Sequence, residues 1–207
     1  MPPALPSPLG CLDDYLSALG TPLPIWDDSD TPTRHSRAYD IRVGSLTHAV
    51  LGETVPLVQG LSLIDAAPLI QAAIHRLISV PGRLAAARVR IAGMSAVYVR
   101  DYLPPRPTAF LGAETAVGRG RVDLCWNDPN LGVFFDEIKT FRQTPTHLDR
   151  PTAAQIDRYL EAGRQSYGDR FAGVRLLTLA NRHASKHVTP DGSFMPLAES
   201  RLEYAHN

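Results

Sequence analysis

Apolar residues recur at helical spacing through Pro68, Leu69, Ile70, Ala73, Ile74, Leu77 and Ile78, which predicts a helix capped by Asp65 and broken at Pro81-Gly82. Upstream, Gly44-Ser45-Leu46-Thr47-His48-Ala49-Val50-Leu51 reads as the opening of another helix, with Ser45 as its candidate cap. Residues 83–102 suit a helix at first and a strand later; a helix is the favoured reading. The period then shortens. Thr108–Val117, Gly120–Trp126 and Val133–Thr140 read as strands, divided by Gly118 and by the turn residues Asn127-Asp128-Pro129-Asn130. Helical spacing returns over Thr152–Tyr167, closed by Gly168, and Gly173–Ala180 is apolar enough for a buried strand. The order α-β-β-β-α-β predicts an α/β fold with a mixed central sheet flanked by helices. Residues 1–38 are Pro-rich and read as an arm with a short helix near Cys11–Leu19; residues 39–207 form the expected domain.

Composition narrows the class. The chain is 44% hydrophobic and 20% charged, ordinary for a globular protein, and its formal net charge of zero argues against a protein that coats nucleic acid through bulk electrostatics. A local basic cleft remains compatible with that balance. No apolar run approaches the roughly 20 residues of a membrane span, and Met1-Pro2-Pro3-Ala4 lacks the pattern of a secretory leader, so a cytoplasmic location is expected. Cys11 and Cys125 are too few for a four-cysteine metal or iron–sulphur site. Of 21 basic residues only Lys139 and Lys186 are lysine. A lysine kept against so strong an arginine preference points to a need for a compact ammonium.

Side chains alternate faces along a strand, so Phe135, Glu137 and Lys139 share one face while Phe134, Asp136 and Ile138 share the other. The Asn-Asp-Pro-Asn turn folds the preceding strand back antiparallel, letting Asp123 converge on Glu137. Two adjacent carboxylates repel unless a proton or a cation lies between them. Carboxylate and carbonyl oxygens suit Mg²⁺ or Mn²⁺. A lysine at the edge of such a site can orient water and steady charge on a phosphate oxygen. Phosphodiester hydrolysis needs these parts together.

Asp123 followed by Glu137-Ile138-Lys139 resembles the signature of the PD-(D/E)xK nuclease superfamily. Gly120-Arg121-Val122-Asp123 and Glu137-Ile138-Lys139-Thr140 are similar to two motifs of its RecB-like branch. Gln155-Ile156-Asp157-Arg158-Tyr159 resembles that branch's Gln-x-x-x-Tyr helix, and Gly44 to His48 its upstream Gly-x-x-x-His helix. The four elements stand in the family's order over roughly residues 42–180. The resemblance implies a restriction-endonuclease-like core and a Mg²⁺- or Mn²⁺-dependent deoxyribonuclease, an exonuclease in preference to a sequence-specific endonuclease, leaving 5′-phosphate ends. It also implies metal ligation by His48, Asp123, Glu137 and the Ile138 carbonyl, with Asp123, Glu137 and Lys139 catalytic. Gln155 and Tyr159 would support the site or touch the nucleic-acid strand. DNA is the implied partner; any helicase, recombination or defence motor would be a separate chain, and no iron–sulphur cluster is implied. Asp136 departs from the family, which often has an apolar residue there.

Blander readings stand beside these. Taken alone, His48 reads as a structural helix residue, Glu137 and Lys139 as a surface ion pair, and Gln155 and Tyr159 as a half-exposed helix face. Glu114 reads as a surface acid that could reach the cleft, His75 as packing or partly exposed, Trp26 and Trp126 as core, and His183, Lys186 and His187 as a phosphate-contacting loop. A catalytically inactive nucleic-acid-binding or assembly subunit of the same fold is the rival function, and RNA the rival substrate.

Overall fold

The computed structural model describes residues 37–78, 87–141 and 150–180. The helix near Cys11–Leu19, Trp26 and the His183–His187 loop lie outside the described residues. The chain divides into two compact units, one helical and ending at Asp101, the other running from Tyr102 to Ala180.

In the helical unit, α1 spans Arg37–Val58, α2 Leu63–Leu77 and α3 Ala87–Val97, continued by a π-helical turn over Tyr98–Tyr102. The first helix begins earlier than its sequence pattern predicts. Ser45 is therefore no cap: its hydroxyl donates to the Ile41 carbonyl one turn back, at 3.1 Å. Thr47 and Thr54 do the same to Val43 and Val50, at 2.9 and 2.7 Å. These bonds satisfy two buried hydroxyls within the helix and let Val43, Leu46, Val50, Val55 and Val58 form a continuous buried stripe. For α2 the cap is Ser62, which accepts from the Asp65 amide at 3.2 Å and donates to the Asp65 carboxylate at 2.6 Å. Asp65 thus sits inside the first turn, where its charge favours the helix N-terminus. The three helices pack on one another, burying Ala66, Ala67, Ile70, Ala73, Ile74, Ile91 and Met94.

The second unit is α/β. Its four-stranded mixed sheet has the order β1-β2-β3-β4, with β1 at Ala109–Val117, β2 at Gly120–Asp128, β3 at Gly132–Phe141 and β4 at Phe171–Ala180. The first two pairings are antiparallel and β3–β4 is parallel. The parallel step needs a crossover, which contains α4 (Arg150–Tyr167) and ends on Gly168 with φ 56°. Gly118, with φ 56°, supplies the left-handed residue of the β1–β2 turn. Asp128 organises the next turn: its carboxylate accepts from the Asn130 and Leu131 amides and from the Thr108 hydroxyl.

One face of the sheet packs on α4, burying Val122, Cys125, Phe135, Val174 and Leu176 against Ile156, Tyr159 and Leu160. The Phe171 ring lies where a side chain on Gly163 would stand, with an ideal Cβ only 2.2 Å from its Cζ. The other face carries Asp136, wholly buried and held at 2.6 and 2.7 Å by the Arg175 guanidinium. Trp126 also donates to Asp136 at 3.0 Å, and Arg175 lies 4.9 Å above the Phe134 ring. Asp136 therefore points away from Glu137, as strand alternation requires, and its charge is met by a neighbouring strand.

Candidate functional site

The β2–β3 ladder runs from Asp128↔Gly132 to Leu124↔Asp136 and stops there. The next rung would pair Asp123 with Glu137. Instead the Asp123 carboxylate reaches across and accepts from the Ile138 amide at 2.5 Å. A side chain thus takes the place of a backbone acceptor, and the strands part at the level of the two acids. In an extended strand a residue's N–H and C=O point to the same edge, so Ile138 turns its carbonyl toward this opening.

Glu137 and Lys139 project from the opposite edge of the same gap toward α4. The Lys139 Nζ lies 2.6 Å from Glu137 Oε1 and 2.8 Å from Gln155 Oε1. Glu137 is almost wholly buried, with its side chain only 3% exposed, whereas Lys139 keeps 26% of its side-chain surface in solvent. The pair is therefore no exposed surface contact; a carboxylate this buried has a large desolvation cost to offset. Gln155 Nε2 donates to the Tyr159 hydroxyl at 2.9 Å, and that hydroxyl donates in turn to the Arg121 carbonyl. Burial holds the Tyr159 phenol above its ordinary pKa, reinforced by the charges of Glu137 and Asp123 and opposed by the Gln155 hydrogen bond. Tyr159 is consequently protonated and available as a donor at neutral pH.

Glu114, which the sequence offers as a surface acid able to reach the cleft, also stands here, and the strand register is what sets it opposite Asp123. Pairing of β1 with β2 runs Phe110↔Trp126, then Gly112↔Cys125, so Leu111 is one extra residue on β1. Had the first register continued, Ala113 would face Asp123. After the bulge, Ala113↔Leu124 and Thr115↔Val122 bracket Glu114, which stands across from Asp123. Glu114 has φ 47°, a conformation that usually favours glycine. One carboxylate oxygen of Glu114 and one of Asp123 lie within 4.8 Å of each other, near enough to share a cation.

The structure thus joins Glu137, Lys139, Gln155 and Tyr159 in one hydrogen-bonded chain, and sets Asp123 against the Ile138 backbone and Glu114. His48 lies in the helical unit, half-buried on α1. The carboxylate oxygens that Glu114 and Asp123 bring together suit a hard divalent cation better than a soft one, whereas Glu137 lies outside that group and is bound by Lys139. His75 is exposed and Trp126 is fully buried core. No helix among the described residues is long and apolar enough to cross a membrane. Comparisons with protein-family models, curated proteins and solved structures return no match.

Proposed function

We propose that this chain is a Mg²⁺- or Mn²⁺-dependent deoxyribonuclease with a restriction-endonuclease-like core, an exonuclease of the PD-(D/E)xK type. The observation that carries the reading is the opening at the end of the β2–β3 ladder, where the Asp123 carboxylate binds the Ile138 amide and has an oxygen within 4.8 Å of one of Glu114, while Glu137 stands next along β3, bound to the Lys139 ammonium. A buried acid pair beside a lysine is costly to maintain without a cation to bind. In this proposal Asp123, Glu137 and the Ile138 carbonyl hold the ion, with Glu114 as a further oxygen ligand, and the motif reading adds His48. A divalent ion so held would polarise the scissile phosphate and acidify water. Lys139 would hold its ammonium against a non-bridging phosphate oxygen, where it opposes the charge that develops as the bond breaks.

The test is direct. Purified protein with Mn²⁺ and linear or circular, single- or double-stranded DNA should degrade at least one form. Lys139→Ala should lower that rate at least about 100-fold, the usual scale for losing a positioned acid–base or charge-stabilising group. Unchanged degradation by Asp123→Ala and Lys139→Ala would sink the proposal. The inactive-subunit alternative expects no degradation, and no loss of Mn²⁺ heat in calorimetry on Glu137→Gln.

A further inference from the structure

The geometry points to Gln155 and Tyr159 as positioning residues that fix the Lys139 ammonium, with Gly120 as the notch that admits the Tyr159 ring. The consequence for catalysis rests on the nuclease reading above; the positioning itself does not.

The direction of the chain is set by its two ends. A lysine ammonium has donors and no acceptor, and a backbone carbonyl has only acceptor sites. Lys139 therefore donates to Gln155 Oε1, which forces Gln155 to present its Nε2 to Tyr159. The Tyr159 oxygen accepts there, so its own hydrogen goes to the Arg121 carbonyl. No member can flip without placing donor against donor. Lysine has a long, freely rotating stem; two acceptors, Glu137 and Gln155, hold its end in place. Each polar atom of the Gln155 amide is thereby engaged once, which fixes the orientation of the amide.

Tyr159 reaches the Arg121 carbonyl because β2 begins with glycine. An ideal Cβ on Gly120 would lie 2.6 Å from Tyr159 Cε1, inside van der Waals contact with an aromatic ring that is 5% exposed and cannot withdraw. Gly120 is not needed for the turn, whose left-handed residue is Gly118. Space, and not backbone freedom, calls for glycine at 120. The spacing of Gly120-Arg121 with Gln155 and Tyr159 is then one mechanical unit: the notch, the carbonyl anchor, the amide and the phenol.

The chain's two lysines make the test specific. Amine acylation by an N-hydroxysuccinimide ester, without metal or DNA, is followed peptide by peptide at Lys139 and at Lys186, the internal control. Tyr159→Phe, Gln155→Ala and Gly120→Ala should each raise the Lys139 rate several-fold and leave Lys186 unchanged. Should Gly120→Ala fail to fold, Tyr159→Phe decides, since it keeps the ring and removes only the hydroxyl. A folded Tyr159→Phe protein with wild-type labelling at Lys139 overturns the proposal. Because this readout needs no activity, it stands or falls separately from the nuclease reading. Where DNA is degraded, Tyr159→Phe should lower kcat about tenfold with KM for DNA little changed. A raised KM at constant kcat would make these residues DNA contacts and overturn the positioning role.

Discussion

Glu114 is a residue whose backbone and side chain have opposing interests. Its φ of 47° disfavours any residue with a Cβ, at a cost on the order of 1 kcal/mol or more. Glu114→Gly is therefore expected to keep or raise the thermal midpoint while weakening Mn²⁺ binding, measured by calorimetry on the same samples. Undiminished Mn²⁺ affinity would remove Glu114 from the proposed ligand set. Cys125 is the contrasting case, a group whose environment makes it inert. Burial raises its thiol from an ordinary 9.0 to about 11, with the Asp136 charge adding to the effect and hydrogen bonds to Tyr167 and the Trp126 backbone opposing it. A folded-state pKa raised in this way contributes stability that is complete below the unfolded value and is lost as pH climbs through about 11. Cys125 should resist a thiol-reactive disulfide reagent at pH 8 until denaturant is added. Rapid reaction in the folded protein would contradict its burial.

At the scale of elements, the sheet is tied together by charge on one face and by apolar packing on the other. Asp136 on β3, Arg175 on β4 and Trp126 on β2 form one buried network, to which Arg175 adds a bond to the Tyr102 carbonyl at 3.0 Å. Arg175→Met should cost about 3–5 kcal/mol by urea unfolding, because it leaves a buried carboxylate without its cation. Adding Asp136→Leu should recover part of that loss, limited by the Trp126 N–H it strands. A mild single mutant would mean that water reaches Asp136. The β2–β3 turn behaves differently in acid. Hydrogen bonds from Thr108, Leu131 and Asn130 hold the Asp128 carboxyl below its ordinary pKa. That contribution is complete above the unfolded pKa and is lost as pH falls through the lowered folded value, so Asp128→Asn should flatten the acid limb of the stability profile.

Metal linkage belongs to the whole molecule. A ligand that binds only the folded state at a hundred times its Kd adds about 2.7 kcal/mol, enough to raise a small unit's midpoint by several degrees. Mn²⁺ should produce such a rise in the wild type and none in Asp123→Ala; an equal rise in both would place the ion elsewhere. The sequence by itself determined the period of most elements, residues 83–102, which suit both a helix and a strand, being the exception. Alternation in Phe134 to Lys139 assigned Glu137 and Lys139 to one face and Asp136 to the other, because a strand's pleat fixes side-chain direction locally. Helical spacing likewise located α2 and α4, while cap positions such as Ser62 escaped it, since a hydroxyl three residues ahead of Asp65 competes for the same amides. Only the tertiary structure decided register and contact across chain distance. The extra residue at Leu111 brings Glu114 and not Ala113 opposite Asp123, the ladder ends at Leu124 and Asp136, and the Tyr159 ring fills the space left by Gly120. Such facts depend on how separate segments pack, and a single segment's pattern of apolar and polar positions holds no record of its neighbour's register.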